Sequence, residues 1–70
     1  MAEVRAELVA NVVSVFVDEG EAVEDGDTLV MLESMKMEIP VVAEADGTVR
    51  KIVVQEGDTV QRGDLIAVVD

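Results

Sequence analysis

The segment of this 70-residue chain with the most distinctive side-chain chemistry is centred on Lys36, which lies between Met35 and Met37 and is flanked by Glu33 and Glu38. A lysine amine is a nucleophile that forms covalent bonds, and exposed methionines offer an adaptable apolar contact. If the segment is exposed, its methionines fit a docking surface for a partner that acts on the lysine. The same residues, taken alone, also fit a solvated lysine, core-filling methionines and solvating carboxylates.

Other chemistries find little support in the composition. The chain has no Cys and no His, which excludes disulfides, a thiol nucleophile, an imidazole base and the usual zinc sites. Its acidic residues lie mostly in turn signals and are interpreted as solvated. A chain of this length has little room for an enclosed active site. We therefore expect no catalytic residues, no metal site and no enzyme acting alone.

The charge balance and the apolar pattern restrict the partners. Five basic and 16 acidic residues give a net charge of −11, which disfavours nucleic acid and anionic membrane surfaces. No apolar run approaches the roughly 18 residues of a membrane span. The first residues lack the basic and apolar regions of a secretory signal. These observations predict a cytoplasmic protein. We also expect a monomer.

The apolar residues predict an all-β fold. Sixteen of them are valine, with one Phe and neither Trp nor Tyr, and β-branched side chains suit a pleated, half-buried surface. The turn signals between the apolar runs contain glycine, including Asp46-Gly47. The six predicted strands are Val4–Val9, Val12–Val17, Thr28–Leu32, Glu38–Val42, Thr48–Val54 and Asp64–Val69. Imperfect alternation in the second of them predicts a bulge or two packed sheets.

The chain contains an internal repeat. A shift of 37 residues aligns residues 4–33 with residues 41–70 and gives ten identical pairs in thirty, with both turn glycines among them. Such a repeat predicts a pseudo-two-fold arrangement of two similar sheets around one core. Lys36 lies between the two copies, and its symmetry equivalent is the gap between the chain ends. We therefore expect Lys36 at one pole and both termini at the other.

Lys36 is predicted to lie at the tip of a hairpin formed by the strands Thr28–Leu32 and Glu38–Val42. Two-residue hairpin loops favour Gly, Asn or Asp because they require positive φ, and this tip has none of them. If the tip residues continued a strand, Met35 and Met37 would share a face and Lys36 would point the other way. Pro40 is interpreted as an edge-strand residue.

The residues from Glu33 to Glu38 resemble the attachment loop of biotinyl domains, whose hallmark is Met-Lys-Met at a hairpin tip. The second half is similar to the rest of that pattern, through Gly47-x-Val49, Gly57-Asp58-x-Val60 and Gly63-Asp64-x-Ile66. The resemblance covers residues 1–70 as a single biotinyl domain. It implies a flattened barrel of two four-stranded antiparallel sheets, with two further short strands near Ala22-Val23 and Thr59-Val60.

The resemblance also implies a function. Lys36 would be biotinylated by a biotin protein ligase, with Met35 and Met37 serving ligase or partner recognition and Glu33 and Glu38 flanking the site. The carrier would move carboxybiotin between biotin carboxylase and carboxyltransferase subunits in trans. Lipoyl domains usually have Asp before the lysine and Ala after it, so the methionines favour biotin. A lipoyl-type or dual attachment domain, or an unmodified barrel acting as an interaction module, is the alternative.

Overall fold

The computed structural model describes all residues, Met1–Asp70, and contains eight strands and no helix. It therefore has no helix of the length and apolarity needed to cross a membrane. The strands are β1 (Ala2–Arg5), β2 (Ala10–Val15), β3 (Ala22–Val23), β4 (Thr28–Ser34), β5 (Met37–Val42), β6 (Gly47–Ile52), β7 (Thr59–Val60) and β8 (Leu65–Val69).

Two four-stranded antiparallel sheets form the molecule, as the family resemblance implies. The order is β1-β8-β6-β3 in the first sheet and β5-β4-β2-β7 in the second. Because the second sheet carries the predicted hairpin, we call it the lysine sheet. Replacing each strand by its equivalent in the other repeat converts one order into the other, so the predicted pseudo-two-fold symmetry is confirmed.

Backbone hydrogen bonds obey the same symmetry. The Gly20 N–H donates to the Val49 carbonyl at 2.7 Å, and the Gly57 N–H donates to the Val12 carbonyl at 2.9 Å. The two donors are equivalent glycines in the repeat, and the two acceptors are equivalent valines. Each bond joins one copy of the repeat to the other. The repeat therefore specifies tertiary contacts as well as local turns.

The core lies between the sheets and consists of small and medium aliphatic side chains. Its largest fully buried members are Leu29, Leu32, Val30, Val49 and Ile66. No polar or charged residue is buried. Burial of apolar surface between the two sheets is thus the main stabilising contribution to the fold.

Several predicted strand bounds were wrong. The predicted strand Val4–Val9 ends at Arg5, because the register against β8 shifts between Val4 and Arg5 and the chain bends at Glu7 and Leu8. The chain turns there and re-enters a sheet at Ala10. The short strands at Ala22–Val23 and Thr59–Val60 are both present.

The imperfect alternation in Val12–Val17 has the predicted cause. The register of β2 against β4 shifts between Val12 and Ser14, which leaves Val12 2% exposed and Val13 38% exposed. A matching shift lies between Val49 and Lys51 in β6. The bulge and the packing of two sheets therefore both contribute.

The glycines fall into two groups. Gly20, Gly26, Gly57 and Gly63 all have φ of 93° or 94°, in the left-handed region that favours glycine. Gly47 differs: the prediction that it belongs to a turn was wrong, because it begins β6. Its place requires a glycine for another reason, since an added Cβ would collide with the Asp70 carbonyl oxygen and lie 2.9 Å from the Val69 Cγ1.

We expect Gly47→Ala to lower the free energy of unfolding by about 1–3 kcal/mol, because the new methyl group forces the ends of β6 and β8 apart. Urea denaturation measures the change. Gly57→Ala is the matched control, since its added Cβ meets nothing within 4 Å and costs only the left-handed strain, about 1–2 kcal/mol. A Gly47→Ala variant as stable as the parent would contradict the close approach.

Candidate functional site

The hairpin of β4 and β5 ends in a turn of two residues. Ser34 pairs with Met37, which leaves Met35 and Lys36 as the loop. Their φ angles are 54° and 64°. Positive φ at both central residues is the signature of a type I′ turn, whose twist matches the right-handed twist of paired strands.

The turn has the geometry for which glycine or asparagine is usual, yet neither is present. Met35 and Lys36 are the chain's only residues other than glycine with positive φ, a conformation that costs about 1–3 kcal/mol each. Met35 and Met37 do not share a strand face, because Met35 lies in the turn and only Met37 belongs to β5. Non-glycine strain of this kind is concentrated at functional sites.

The tip is open to solvent. Met35 is 92% exposed and Met37 64% exposed, and Lys36 between them is exposed. The two salt bridges of the structure are Arg5–Glu3 and Arg50–Asp70, so Lys36 takes part in neither. The methionines therefore do not fill the core, and the Lys36 amine is free to meet an incoming group.

Glu33 and Glu38 lie directly opposite each other on β4 and β5, next to the pair Ser34 and Met37 that closes the turn. Both are exposed, and like charges in a cross-strand pair are destabilising. Sequence reasoning identified this pair but missed Asn11 and Thr59, which extend the row across the lysine sheet. Asn11 pairs with Glu33, and the Thr59 Oγ1 donates to the Asn11 Oδ1 at 3.0 Å.

The tip and the chain ends lie at opposite poles, as the repeat predicts. Asp70 exchanges two backbone hydrogen bonds with Thr48 near the start of β6, at 2.8 and 3.0 Å, and Ala2 pairs with the last residue of β8. A short connection joins the start of β6 to the hairpin base, where Val42 pairs with Thr28. The tip lies six residues beyond this base, about 20 Å along the strand.

The site has the properties of an attachment point. No group of three or more His, Cys, Asp or Glu side chains in the structure could hold a metal ion. Lys51 is the second lysine of the chain, and it is also exposed but lies within β6. Lys36 alone combines an exposed amine with a projecting turn. A group bonded to it would extend into solvent at the pole opposite the termini.

We expect Met35→Asn to raise the free energy of unfolding by about 0.5–1 kcal/mol, because asparagine tolerates positive φ better than methionine does. Thermal unfolding measures the gain. Met37→Asn is the matched control: it lies in a strand, where asparagine is disfavoured, so it should not stabilise. A less stable Met35→Asn variant would argue against the turn geometry described here.

Comparisons with known proteins agree with one another. The profile of a family described as "Biotin-requiring enzyme" matches residues 2–69. The biotinylated protein TB7.3 homolog of Mycobacterium leprae is 60% identical over 67 residues, which are 96% of this chain and 94% of that protein. The biotin/lipoyl attachment protein of Bacillus subtilis is 41% identical over 63 residues, which are 90% of this chain and 86% of that protein.

A solved structure shows the same fold within a much larger protein. The crystal structure of the Kluyveromyces lactis urea carboxylase superposes with a TM-score of 0.92 at 35% sequence identity. The match covers 99% of this chain and 6% of the carboxylase chain. The chain is therefore similar to a small part of a large enzyme and to nearly all of two small proteins.

Proposed function

Because the chain belongs to the biotin/lipoyl attachment family, a family of carrier domains, we propose that residues 1–70 act as one biotinyl domain whose biotin is covalently attached to Lys36. The observation that carries this proposal is the turn itself, which presents a lysine between two exposed methionines. The family description and the biotinylated relative support biotin as the cofactor.

Attachment is a condensation between the Lys36 amine and the carboxyl group of biotin. A biotin protein ligase would present the carboxyl group as its adenylate. The amine nitrogen forms the amide bond, AMP leaves with the electrons of the broken C–O bond, and the nitrogen loses its proton. This chain has no His, so the ligase supplies the base. The product loses one positive charge, which takes the net charge from −11 to −12.

The attached biotin would supply a ureido ring that accepts a carboxyl group at one enzyme site and releases it at another. The protein contributes position: tethering makes each meeting of ring and partner an event at high effective concentration. The match to urea carboxylase supports a carboxylase as the partner class. We propose biotin carboxylase and carboxyltransferase subunits acting in trans on this carrier.

Recognition is assigned to the residues beside the lysine. Met35 and Met37 offer exposed, flexible apolar side chains, which suit transient contact with a ligase or a carboxylase. Glu33 and Glu38 form a paired negative charge two positions below the turn. Such a pair favours partners with a basic rim and speeds encounter at low ionic strength.

Streptavidin blotting of the protein purified from its native source tests the proposed function. We expect a biotin signal at the mass of this chain, abolished when free biotin competes. A purified protein with no signal would instead favour an unmodified barrel that acts as an interaction module, and it would contradict the carrier proposal.

Lipoate is the second candidate cofactor, favoured by the similarity to the Bacillus subtilis biotin/lipoyl attachment protein. If the methionines determine the choice, Met35→Asp should raise lipoate incorporation relative to biotin when the chain is co-expressed with both ligases. Intact mass distinguishes the two products. An unchanged ratio would remove Met35 as a determinant of the cofactor.

A further inference from the structure

Part of the outer face of the lysine sheet is apolar, where a solvent-facing sheet is usually polar. Val13 is 38% exposed and Phe16, the only aromatic residue, is 54% exposed. Met31 is half-buried and Pro40 is exposed. None of these four belongs to the core cluster. We call them the outer patch.

The repeat offers an internal comparison for this patch. Pro40 pairs with Met31, which pairs with Ser14, so these residues form a row across β5, β4 and β2. The equivalent row of the first sheet is Glu3, Val68 and Lys51. The two rows have equivalent strand pairings. The row of the first sheet contains two charged residues, and the row of the lysine sheet contains none.

Charged side chains flank the equivalent row of the first sheet. Val68 is only 9% exposed although it lies outside the core cluster, so neighbouring side chains shield it from the outer side. Both salt bridges of the molecule, Arg5–Glu3 and Arg50–Asp70, belong to this sheet. Long charged side chains shield apolar surface in this way by keeping their heads in water.

The lysine sheet lacks that covering. Val13 occupies the position equivalent to Arg50, and Pro40 the position equivalent to Glu3. Met31, the equivalent of Val68, is correspondingly more exposed. Phe16 has an apolar counterpart, since its equivalent Val53 is 48% exposed, so the two sheets differ at Val13, Met31 and Pro40. Contiguous apolar patches on soluble proteins mark interaction sites, and at these three positions the patch is open on the sheet that bears Lys36.

We propose that the outer patch is a docking surface for the biotin protein ligase that modifies Lys36, an inference that rests on the proposed function. The ligase must hold the Lys36 amine at its own reaction centre, yet a standard interface covers about 800 Å² per partner, far more than a two-residue turn offers. Its contact must therefore extend from the tip onto an adjoining face. The outer patch adjoins the tip along the same hairpin.

The charges around the patch define the complementary surface. Glu33 and Glu38 lie between the patch and the tip, so the ligase surface should be apolar with basic residues at the edge nearest its active site. A second copy of this chain is disfavoured as the occupant, because each copy has a net charge of −11 and would bring its carboxylates against those of the other.

The test places the charged residues of the first sheet at the equivalent positions of the lysine sheet. Val13→Arg combined with Pro40→Glu introduces the residue types that the equivalent positions already hold, and the net charge stays unchanged. Purified ligase with ATP and biotin supplies the assay. We expect KM for this chain to rise about tenfold while kcat stays within about twofold, the signature of a lost docking contact.

Two further proteins complete the experiment. Phe16→Ser alters the patch without adding charge and should also raise KM. Arg50→Val combined with Glu3→Val makes the opposite exchange on the first sheet, again at constant net charge, and should leave KM unchanged. Circular dichroism checks that each variant is folded.

The outcomes separate the hypotheses. The docking proposal is wrong if both patch variants keep KM within about twofold of the parent, or if the first-sheet control raises KM equally. A parent dimer in sedimentation that the patch variant dissociates, with KM unchanged, would identify a second copy as the occupant and overturn the proposal. Undiminished biotin incorporation in Lys36→Arg would instead defeat the proposed function.

Discussion

Lys36→Arg is expected to abolish biotin incorporation when the chain is co-expressed with a biotin protein ligase. Arginine keeps the positive charge and the length of the side chain, but its guanidinium stays protonated and does not replace the amine as a nucleophile. Intact mass spectrometry measures the result. The parent should gain the mass of one biotin less one water, and the variant should gain nothing.

Lys51→Arg is the matched control, because Lys51 is the only other lysine and is also exposed. It lies within β6, so its amine does not project from a turn, and its replacement should leave incorporation at the parent level. If the Lys36 variant still gained the mass and the Lys51 variant lost it, the site would lie in the first sheet and the assignment to the turn would be wrong.

Leu32→Ala is expected to have the largest effect on stability. Leu32 is 1% exposed in β4 and packs in the core beneath the hairpin that carries Lys36. Truncating a buried leucine costs about 2–5 kcal/mol, through lost burial and the cavity left behind. A domain of this size has a total stability of about 4–10 kcal/mol, so this single change removes a large part of it.

The same variant tests whether the stability of the core limits biotin attachment at Lys36. At low temperature, where most molecules stay folded, we expect Leu32→Ala to accept biotin at the parent rate, and on warming to lose that capacity earlier than the parent does. Met37→Ala, with a side chain 64% exposed, serves as the stability control and should shift the unfolding temperature little. Equal shifts for the two variants would contradict the burial of Leu32.

Much of the architecture could be predicted because the repeat reports on tertiary structure directly. Pairs such as Gly20 and Gly57 mark equivalent turns, and the symmetry places Lys36 opposite the termini. The bounds of single strands were less accessible. Nothing local to Val4–Val9 indicates that the strand ends at Arg5, since its partner β8 lies at the other end of the sequence.

The conformation of the tip was the least accessible feature of the site. Turn rules connect positive φ with glycine or asparagine, so Met35 and Lys36 give no indication of a type I′ turn. The length of the hairpin and the pairing of Ser34 with Met37 impose it. At Gly47 the sequence misleads in the opposite direction. This glycine indicates a turn, but the structure places it in a strand, where close contact with Asp70 requires a glycine.

The outer patch was missed although the sequence holds a signal for it. Where the two copies differ, the 37-residue shift aligns Val13 with Arg50 and Ser14 with Lys51. Identities in a repeat report the shared fold, whereas differences report what each half does alone. Without the sheet order there was no way to know that these positions share one outer face.

The most direct test of the central claim is fragment-ion mass spectrometry of the parent chain after reaction with purified ligase, ATP and biotin. We predict that the fragments place one biotin on Lys36 and leave Lys51 and the amino terminus unmodified. Biotin located on Lys51 or on the amino terminus, or a chain that stays unmodified under these conditions, would contradict the attachment role of the turn.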